Sequence, residues 1–385
     1  MTFQFTEDQL SIQEMVRTYS EKEIRPRAEE IDKTGRFPKE NMDGLRELGT
    51  LQLTIPEEYG GTGIDDEITK ALAVMEVAKC CASTAEILDV HYLSTDILMR
   101  KGTAEQKAKY LPQAAEGKLG GFALTEPDAG SDAGGLKTKA VKDGGDYILN
   151  GTKCFISNLG PEEGNHFVVV AVTEPGIGTQ GTTAFLVDRS MPGVSCGKTE
   201  DKMGIRGAAV SELVLEDVRV PSSAILGKLG EGFKIAMMGL DGGRIGIASQ
   251  ACGVAFGAIA EAVKYSGERV QFGKPINANQ GLQWYLADMA TRAEAAWLLT
   301  LKAADLRQQG LPCTTAAAMA KWYAAEVACY CCDLALQIHG GYGYMKDYPI
   351  ERMYRDARIL RIYEGTSEVQ KMVVARAVIK GWPFA

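Results

Sequence analysis

The sequence predicts an α+β fold, in which a strand-rich middle segment separates two helical segments. Residues 1–120 place apolar side chains at three- and four-residue spacing, for example at Ile12 and Met15, as amphipathic helices do. Residues 121–230 carry short β-type runs separated by Gly, Pro, Asp and Asn. Residues 231–385 return to long Ala-rich helical stretches. Because strands and helices do not alternate, this order favours α+β over a βαβ sheet.

Three domains with those bounds are predicted, since 385 residues exceed one ordinary core. In the first domain, Pro56 and the Tyr59–Gly63 stretch break the helical pattern into helices and a loop. The middle domain is expected to be a small antiparallel β-barrel or sandwich. Its predicted strands lie around residues 147–149, 167–172, 183–187 and 213–215.

The last domain is predicted to be a four-helix bundle. Its helices are expected over residues 232–266, 277–309, 313–338 and 367–380. Ser367 and Gln370 have capping-box spacing, which predicts that the final helix begins there. No G-x-G-x-x-G sequence follows a strand, so a nicotinamide-binding Rossmann site is not indicated.

The composition is that of a globular protein. A formal net charge of −8 argues against a general nucleic-acid binder, which needs a basic surface. No apolar run approaches the roughly 20 residues of a membrane span. The N-terminus becomes acidic at Glu7 and Asp8 and lacks a signal-peptide core. We therefore expect a cytoplasmic bacterial protein, or a mitochondrial matrix protein if the source is eukaryotic.

The nine cysteines are expected to be reduced thiols, most of them buried. Two groups occur in helix-like, Ala-rich surroundings: Cys80 and Cys81, then Cys329, Cys331 and Cys332. Neither group has paired CxxC spacing or neighbouring histidines, so the sequence predicts no metal site.

Two short motifs carry chemistry, although each alone has an ordinary interpretation. In the tail, Gly365 permits a sharp turn that presents Glu364 just ahead of a helix N-terminus, beside Tyr363. Taken alone, Glu364 is a polar residue at a turn. In the middle, Gly121–Asp132 combines small residues and hydroxyls, as a loop does when its backbone approaches a flat or phosphorylated ligand. Taken alone, this is an ordinary loop.

Together with five further blocks, these motifs resemble the acyl-CoA dehydrogenase family over essentially the whole chain. One block would be weak, but seven in the family's order make coincidence improbable. The blocks are Ala123–Asp132, Lys153–Asn158, Lys202–Gly207, Leu240–Arg244, Arg269–Pro275, Gln337–Tyr344 and Tyr363–Thr366. The resemblance implies the acyl-CoA dehydrogenase fold, FAD as cofactor and an acyl-CoA substrate.

The resemblance also assigns residues to the FAD site. The wall that hydrogen-bonds the flavin and pyrophosphate corresponds to Phe122, Leu124, Thr125 and Ser131, and the segment on the other flavin side to Phe155, Ile156 and Ser157. The family usually has Trp at position 155, so ring stacking should survive with less area. The adenosine and pyrophosphate would be held by Arg269, Gln271, Phe272, Gln280, Gln337, Gly340, Gly341, Thr366 and Glu368.

Several of those FAD residues come from a neighbouring subunit in the family, which implies a homotetramer or at least a dimer. Contacts to substrate are implied for Ser131, Asp241, Arg244, Glu364, Gly365 and Arg376. An electron-transfer flavoprotein is the implied acceptor, and neither nucleic acid nor membrane insertion is expected.

Glu364 is implied to be the base that removes the α-proton of the thioester while a β-hydride passes to the flavin. Burial should raise its pKa toward working pH. Two branches of the family instead place the base directly before the Arg of an Asp-x-x-Arg motif. Because that position is Gly243 here, the chain resembles the short- and medium-chain branch.

The acyl group is less determined by the sequence. Glutaryl-type enzymes have an Arg near position 84, where this chain has Thr84. Asp89 is either a hydrated floor residue or a group that acts on the distal acyl part, as a second base or an acceptor for a polar substituent. The second interpretation favours a cyclic or functionalised acyl-CoA. His91 either pairs with Asp89 or packs in the core.

Three alternatives remain. An oxidase-like enzyme would use the same base and oxygen, although that branch usually has an extra C-terminal domain. An enoyl-CoA reductase would run the reaction in reverse. A non-catalytic binding protein would keep only the fold.

Overall fold

The computed structural model describes residues 4–382, and these form helices, then strands, then helices, which confirms the predicted α+β class. Residues 1–3 and 383–385, the outer ends of the predicted first and last domains, lie outside the described residues. The domain limits at 120/121 and 230/231 stay a prediction.

The first segment consists of six α-helices among the described residues. They are α1 (Glu7–Tyr19), α2 (Arg25–Thr34), α3 (Lys39–Glu47), α4 (Glu67–Ala78), α5 (Ala82–Lys101) and α6 (Ala104–Ala115). Capping boxes begin α1, at Thr6, and α6, at Thr103. Helices α4 and α5 are buried along nearly their whole length, so they form the floor on which the other parts pack.

The middle segment is one sheet of eight strands, in the order β6-β7-β3-β2-β4-β5-β8, with β1 beside β4. Its strands are β1 (Leu119–Ala123), β2 (Lys139–Asp143), β3 (Asp146–Ser157), β4 (Gly164–Val172), β5 (Thr182–Asp188), β6 (Val194–Thr199), β7 (Val210–Pro221) and β8 (Ile225–Leu226). The expectation of a purely antiparallel arrangement was wrong at two pairs, because β1 and β2 each run parallel to β4.

Strand β4 explains why parallel pairing is tolerated. Its residues 167–171 are fully buried, and their side chains enter two different apolar clusters on the two faces of the sheet. A strand covered on both faces is the usual environment of parallel pairing.

The last segment contains the long helices α7 (Gly232–Glu268), α8 (Gln280–Gln308), α9 (Thr314–His339) and α11 (Ser367–Ile379), whose bounds lie within three residues of the prediction. Two elements were not predicted: a hairpin of β9 (Val270–Gln271) and β10 (Lys274–Pro275), and helix α10 (Pro349–Ala357). The cap of α11 is Thr366, which accepts from the Val369 N–H, and not the expected Ser367–Gln370 box.

Helix α7 is the central element of the molecule and packs on α4, α5, α8, α9 and α10. Among residues 4–382 it is the one helix long and apolar enough to cross a membrane by length and composition, and 78% of its apolar window is buried inside the protein. Burial of that kind is the mark of a core helix.

The nine cysteines are free thiols, as expected. Cys80, Cys81, Cys331 and Cys332 are buried and Cys329 is half-buried. His91 is buried in α5 and has no hydrogen bond to Asp89, so packing was the correct interpretation.

Candidate active site

Glu364 lies on a tight turn between α10 and α11, as the sequence predicted. Glu364 and Gly365 both have left-handed backbone conformations, with φ of +51° and +92°. A non-glycine residue in this region costs about 1–2 kcal/mol, so other contacts must hold the turn.

Three side chains hold that turn in place. Lys321 of α9 donates from Nζ to the Gly365 carbonyl at 2.7 Å. Gln370 of α11 donates from Nε2 to the Glu364 and Gly365 carbonyls at 3.1 and 3.0 Å. The Tyr363 hydroxyl donates to Gln250 on α7. The backbone of Glu364 is therefore tied to α7, α9 and α11, and its carboxylate is aimed by three helices.

Gly243 provides the space into which the Glu364 carboxylate points. A Cβ atom added at Gly243 would overlap both carboxylate oxygens of Glu364. The position that carries the base in other branches of the resembled family therefore coincides here with the place filled by Glu364.

The Glu364 carboxylate has the properties of a base. Its Oε2 atom is buried and has no hydrogen-bond partner. The pKa of Glu364 is raised to about 8, first by burial and then by the charge of Glu86, against the opposing effect of Lys321 and Arg244. A carboxyl group with such a pKa can exchange a proton near neutral pH.

Asp89 lies against the same face of α7, one turn along. A Cβ atom added at Gly246 would overlap the Asp89 carboxylate, just as one at Gly243 would overlap Glu364. Residues three apart on a helix have Cβ positions about 5–6 Å apart, so the two carboxylates are near neighbours. Asp89 is 4% exposed and its Oδ2 atom has no hydrogen-bond partner.

The electrostatics separate the roles of these two acids. Burial raises the pKa of Asp89 well above its usual value, and the charges of Glu364 and Glu86 raise it further. Because two adjacent carboxylates resist simultaneous ionisation, ionisation of Glu364 favours the protonated form of Asp89.

Glu86 is a third buried acid, one that sequence reasoning missed. It accepts from the Ser157 hydroxyl at 3.2 Å, and its Oε2 atom has no partner. Burial raises the pKa of Glu86 to about 7, despite neighbouring Tyr363 and Ser157. The available signal was its spacing, since Glu86 precedes Asp89 by three residues on the predicted pocket helix.

The predicted flavin wall is anchored from beneath by a fully buried ion pair, also missed. Lys153 donates to the Leu124 carbonyl at 3.0 Å and to Glu126 Oε1 at 2.8 Å. Glu126 in turn accepts from the backbone of residues 137 and 138. This pair fixes the loop after β1 against β3, although Lys153 had appeared only as one letter of a sequence block.

The side chains of the wall divide into two groups. Phe155 is 65% exposed, with φ of +60°, and Ser131 is also exposed, while Phe122, Thr125 and Ser157 are half-buried. Leu124 and Ile156 instead pack into the apolar clusters, so only their backbones can face a ligand. An added Cβ at Gly130 meets nothing within 4 Å, which leaves the backbone open to a flat ligand.

The remaining predicted cofactor residues are not brought together in one chain. Thr366 and Glu368 lie beside Glu364 at the start of α11. Arg269, Gln271 and Phe272 follow the end of α7, and Gln280 begins α8. Gln337, Gly340 and Gly341 lie at the end of α9, where His339 stacks on Tyr265 at 4.2 Å. The end of α7 is about 28 Å further along this helix than Gln250, since a helix rises 1.5 Å per residue.

Among the predicted substrate contacts, Asp241 and Arg244 form an ion pair at 2.8 Å on α7. The Arg244 Nε atom is buried without a partner, and Arg244 acts on the pKa of Glu364. Arg376 is exposed near the end of α11. The structure thus places Arg244 in the site and Arg376 at its outside.

The fold is that of the acyl-CoA dehydrogenases. Models of the N-terminal, middle and C-terminal domains of acyl-CoA dehydrogenase match residues 6–118, 121–218 and 230–379. The chain belongs to this family, which confirms the resemblance, and it is an oxidoreductase whose cofactor is FAD. The exposed Phe155 ring and open glycines fit that cofactor.

Individual relatives are similar over their whole length. An acryloyl-CoA reductase (NADH) of Anaerotignum propionicum is 51% identical over 99% of this chain and 96% of its own length. A short-chain specific acyl-CoA dehydrogenase of Clostridium acetobutylicum is 47% identical over 99% of this chain and all of its own. A solved chain from work on the electron transferring flavoprotein of Acidaminococcus fermentans superposes with a TM-score of 0.96 at 47% identity, covering 99% of this chain and all of that one.

Proposed function

We propose that the protein interconverts a short or functionalised acyl-CoA and its trans-2-enoyl-CoA, with Glu364 exchanging the α-proton. The observation that carries this proposal is the Glu364 carboxylate, whose Oε2 atom is buried and unpartnered and whose pKa is raised to about 8. A carboxylate of ordinary pKa would be too weak a base for the α-position of a thioester.

The residues of this chain divide the work. The turn at Gly365 aims the carboxylate, and the Glu364 N–H is proposed to donate to the thioester carbonyl and stabilise the developing negative charge. Arg244 and Lys321 stabilise the ionised carboxylate. The wall at residues 122–131 and 155–157 positions the cofactor and excludes water from the reacting carbons. Bound FAD supplies the acceptor for the hydride that leaves the β-carbon.

A short or polar acyl group is favoured by the floor of the site. Asp89 and Tyr92 line a cavity of about 20 Å³ beside Gly243 and Gly246 of α7, and Lys70 lines it as well. Polar groups without partners are poor neighbours for a long alkyl chain. The similarity to a short-chain specific dehydrogenase supports the same conclusion.

The reductive direction is a second candidate, and one observation favours it. With a pKa of about 8, Glu364 is mostly protonated at pH 7, so it is ready to donate a proton to the α-carbon of an enoyl-CoA. The similarity to an acryloyl-CoA reductase points the same way.

An electron-transfer flavoprotein is the proposed redox partner, supported by the similarity to a chain solved in work on such a protein. The proposed site of action is the bacterial cytoplasm, supported by nine free thiols, which are typical of a reducing compartment.

A homotetramer, or at least a dimer, is proposed from the exposed aromatic residues of the hairpin end. Phe272 is 98% exposed, and Trp284 and Tyr344 are also largely exposed. Apolar rings grouped on a surface mark an interaction site. A second copy seated there would bring Arg269, Gln271 and Phe272 to a flavin wall that this chain's own hairpin does not reach.

The decisive experiment is anaerobic flavin bleaching with a panel of butyryl-, hexanoyl- and cyclohexanecarbonyl-CoA. We expect bleaching by at least one thioester, and a loss of about 100- to 10,000-fold in Glu364→Gln with FAD and CoA-thioester binding retained. Near-wild-type bleaching by Glu364→Gln would show that the base lies elsewhere. A purified protein without flavin absorbance would favour the non-catalytic alternative, and turnover with oxygen alone the oxidase-like one.

A further inference from the structure

A group of charged side chains, most of them buried, adjoins the cavity that Asp89 lines. Lys70 and Glu67 of α4 form an ion pair at 2.7 Å. Glu67 also accepts from Arg307 of α8 at 3.1 Å and from Arg100 at 3.2 Å. Asp96 accepts from both of these guanidinium groups.

This group has a surplus of one positive charge. It holds three cations, Lys70, Arg100 and Arg307, against the two carboxylates of Glu67 and Asp96. Asp89 is also subject to the charges of two acids of the reaction site, Glu364 and Glu86. Its carboxyl group thus interacts both with these acids and with Lys70, which lines the same cavity.

Space for a proton carrier exists between Asp89 and Lys70. Both residues line the cavity of about 20 Å³, together with Glu67, Asp96 and the α7 glycines. That volume suffices for one water molecule, which needs two or more polar partners. Asp89 Oδ2 is buried and unpartnered, and Lys70 offers ammonium protons.

The outer end of this arrangement reaches solvent through Lys70. Its side chain is 11% exposed, while that of Glu67 is buried. The two arginines cannot carry protons, because a guanidinium group does not deprotonate in proteins. Their contacts instead hold Glu67 and Asp96 as carboxylates around the lysine.

We propose that Asp89, a water molecule in this cavity and Lys70 carry the proton that Glu364 exchanges with the substrate to and from the solvent. This inference rests on the proposed function of Glu364. A bound thioester and flavin would close the front of the site, so the proton needs a route at the back.

The steps balance. The α C–H bond breaks and the proton forms an O–H bond on Glu364. Glu364 passes that proton to one oxygen of Asp89, while the proton that Asp89 already held leaves its other oxygen for the cavity water. The water gives a proton to Lys70 as Lys70 releases one to solvent. One proton leaves in total, and every group returns to its starting state. The reductive direction uses the same steps reversed.

The test uses the FAD-loaded enzyme and 3-thiabutyryl-CoA, whose sulfur at the β-position leaves no β-hydride to transfer. Deuterium entering its α-carbon from D₂O, followed by NMR, reports only the exchange of the α-proton with solvent. Lys70→Arg keeps the charge beside Glu67 but cannot release a proton. Lys79→Arg is the matched control, because Lys79 forms an equivalent i,i+3 pair with Glu76 at 2.9 Å on the same helix.

We expect Lys70→Arg and Asp89→Asn each to slow deuterium entry about 100-fold, a usual contribution of a proton-transfer group. Thioester affinity and FAD content should not change in Lys70→Arg, and Lys79→Arg should exchange like wild type. Rates of deuterium entry within a few-fold of the wild-type rate in both variants would overturn the proposed relay. If wild type itself exchanges no deuterium, the proposed role of Glu364 fails instead.

A second measurement needs no turnover, so the test of the proposal does not depend on the correct folding of a single variant. The infrared carboxylic-acid C=O band of protonated Asp89 should be absent in Asp89→Asn, which has no carboxyl group at this position. It should be shifted in Lys70→Met, which removes one partner of the cavity water. An unchanged band in Lys70→Met would show that Asp89 and Lys70 are not coupled, which overturns the proposal.

Discussion

Two turns of this protein share the same pair of left-handed backbone conformations, but one is held by neighbouring side chains and the other is exposed. At Glu364–Gly365 and at Phe272–Gly273, a non-glycine residue with φ of +51° or +53° precedes a glycine with φ of +92° or +79°. The first turn is tied by Lys321, Gln370 and Tyr363, whereas the Phe272 side chain is 98% exposed. A strained conformation persists when its surroundings enforce it. The chain itself supplies those surroundings at Glu364, and we infer that a second copy supplies them at Phe272.

The buried turn should be the more sensitive of the two to added volume. Gly243→Ala places a methyl group on the Glu364 carboxylate, and a shift of about 1 Å at a reacting group costs roughly 100-fold in rate. We therefore expect about a 100-fold slower flavin bleaching. Gly267→Ala, near the end of the same helix, meets only Asn277 Nδ2 at 3.4 Å and serves as the control. Equal rates in both variants would contradict the shared space of Gly243 and Glu364.

The exposed turn should matter for assembly. Phe272→Ser should weaken the subunit contact and FAD retention by about 2 kcal/mol, roughly 30-fold in affinity, as truncation of an aromatic anchor does. Analytical ultracentrifugation and the flavin-to-protein absorbance ratio measure both effects. Tyr354→Ser, another partly exposed aromatic residue, is the matched control. A wild-type protein that sediments as a monomer with full FAD would contradict the role given to Phe272.

If Glu364 is the group that exchanges the proton with the α-carbon, the rates of the two reaction directions should depend on pH in opposite ways. Dehydrogenation needs the carboxylate, so its rate should rise with pH through about 8, whereas enoyl reduction needs the acid and should fall through the same pH. Rates of single-turnover flavin bleaching and of reduced-flavin reoxidation by enoyl-CoA measure them. Parallel profiles would exclude Glu364 as the common group.

Glu86 is expected to influence the pKa at which Glu364 titrates. Because the charge of Glu86 raises the pKa of Glu364, Glu86→Gln should move the midpoint of the dehydrogenation profile to lower pH. Ser157→Ala keeps the Glu86 carboxylate and removes its hydrogen bond together with one predicted flavin contact, so it should move the midpoint less. A midpoint that stays at the wild-type value in Glu86→Gln would show that burial alone sets the pKa of Glu364.

The contrast between the turns also shows what a sequence can predict. Helix bounds in the last segment followed from periodicity and from Gly and Pro, since these act locally. Glu364 and the FAD blocks followed from the family resemblance. Lys153, Lys321, Lys70 and Glu86 did not, because a buried charge is recognised by partners that are distant in the chain, such as Lys321 and Gly365. The parallel pairing of β4 was not predicted either, because the periodicity within one strand does not determine which strands lie beside it.

The smallest expected effect concerns neither turn but two buried histidines, His91 of α5 and His166 of β4. Burial lowers the pKa of His91 to about 3 and that of His166 to about 4, from a usual 6.5. Both groups are therefore neutral when folded, so their contribution to stability is complete above pH 6.5 and is lost as pH falls. At pH 5 each costs about 2 kcal/mol. His91→Leu should lose less thermal stability between pH 7 and pH 5 than wild type does. His339→Leu should reduce the loss less, because the hydrogen bond between His339 Nδ1 and the Ala335 carbonyl opposes the lowering of the His339 pKa by burial. An identical loss in His91→Leu and wild type would mean that His91 is not neutral in the folded protein.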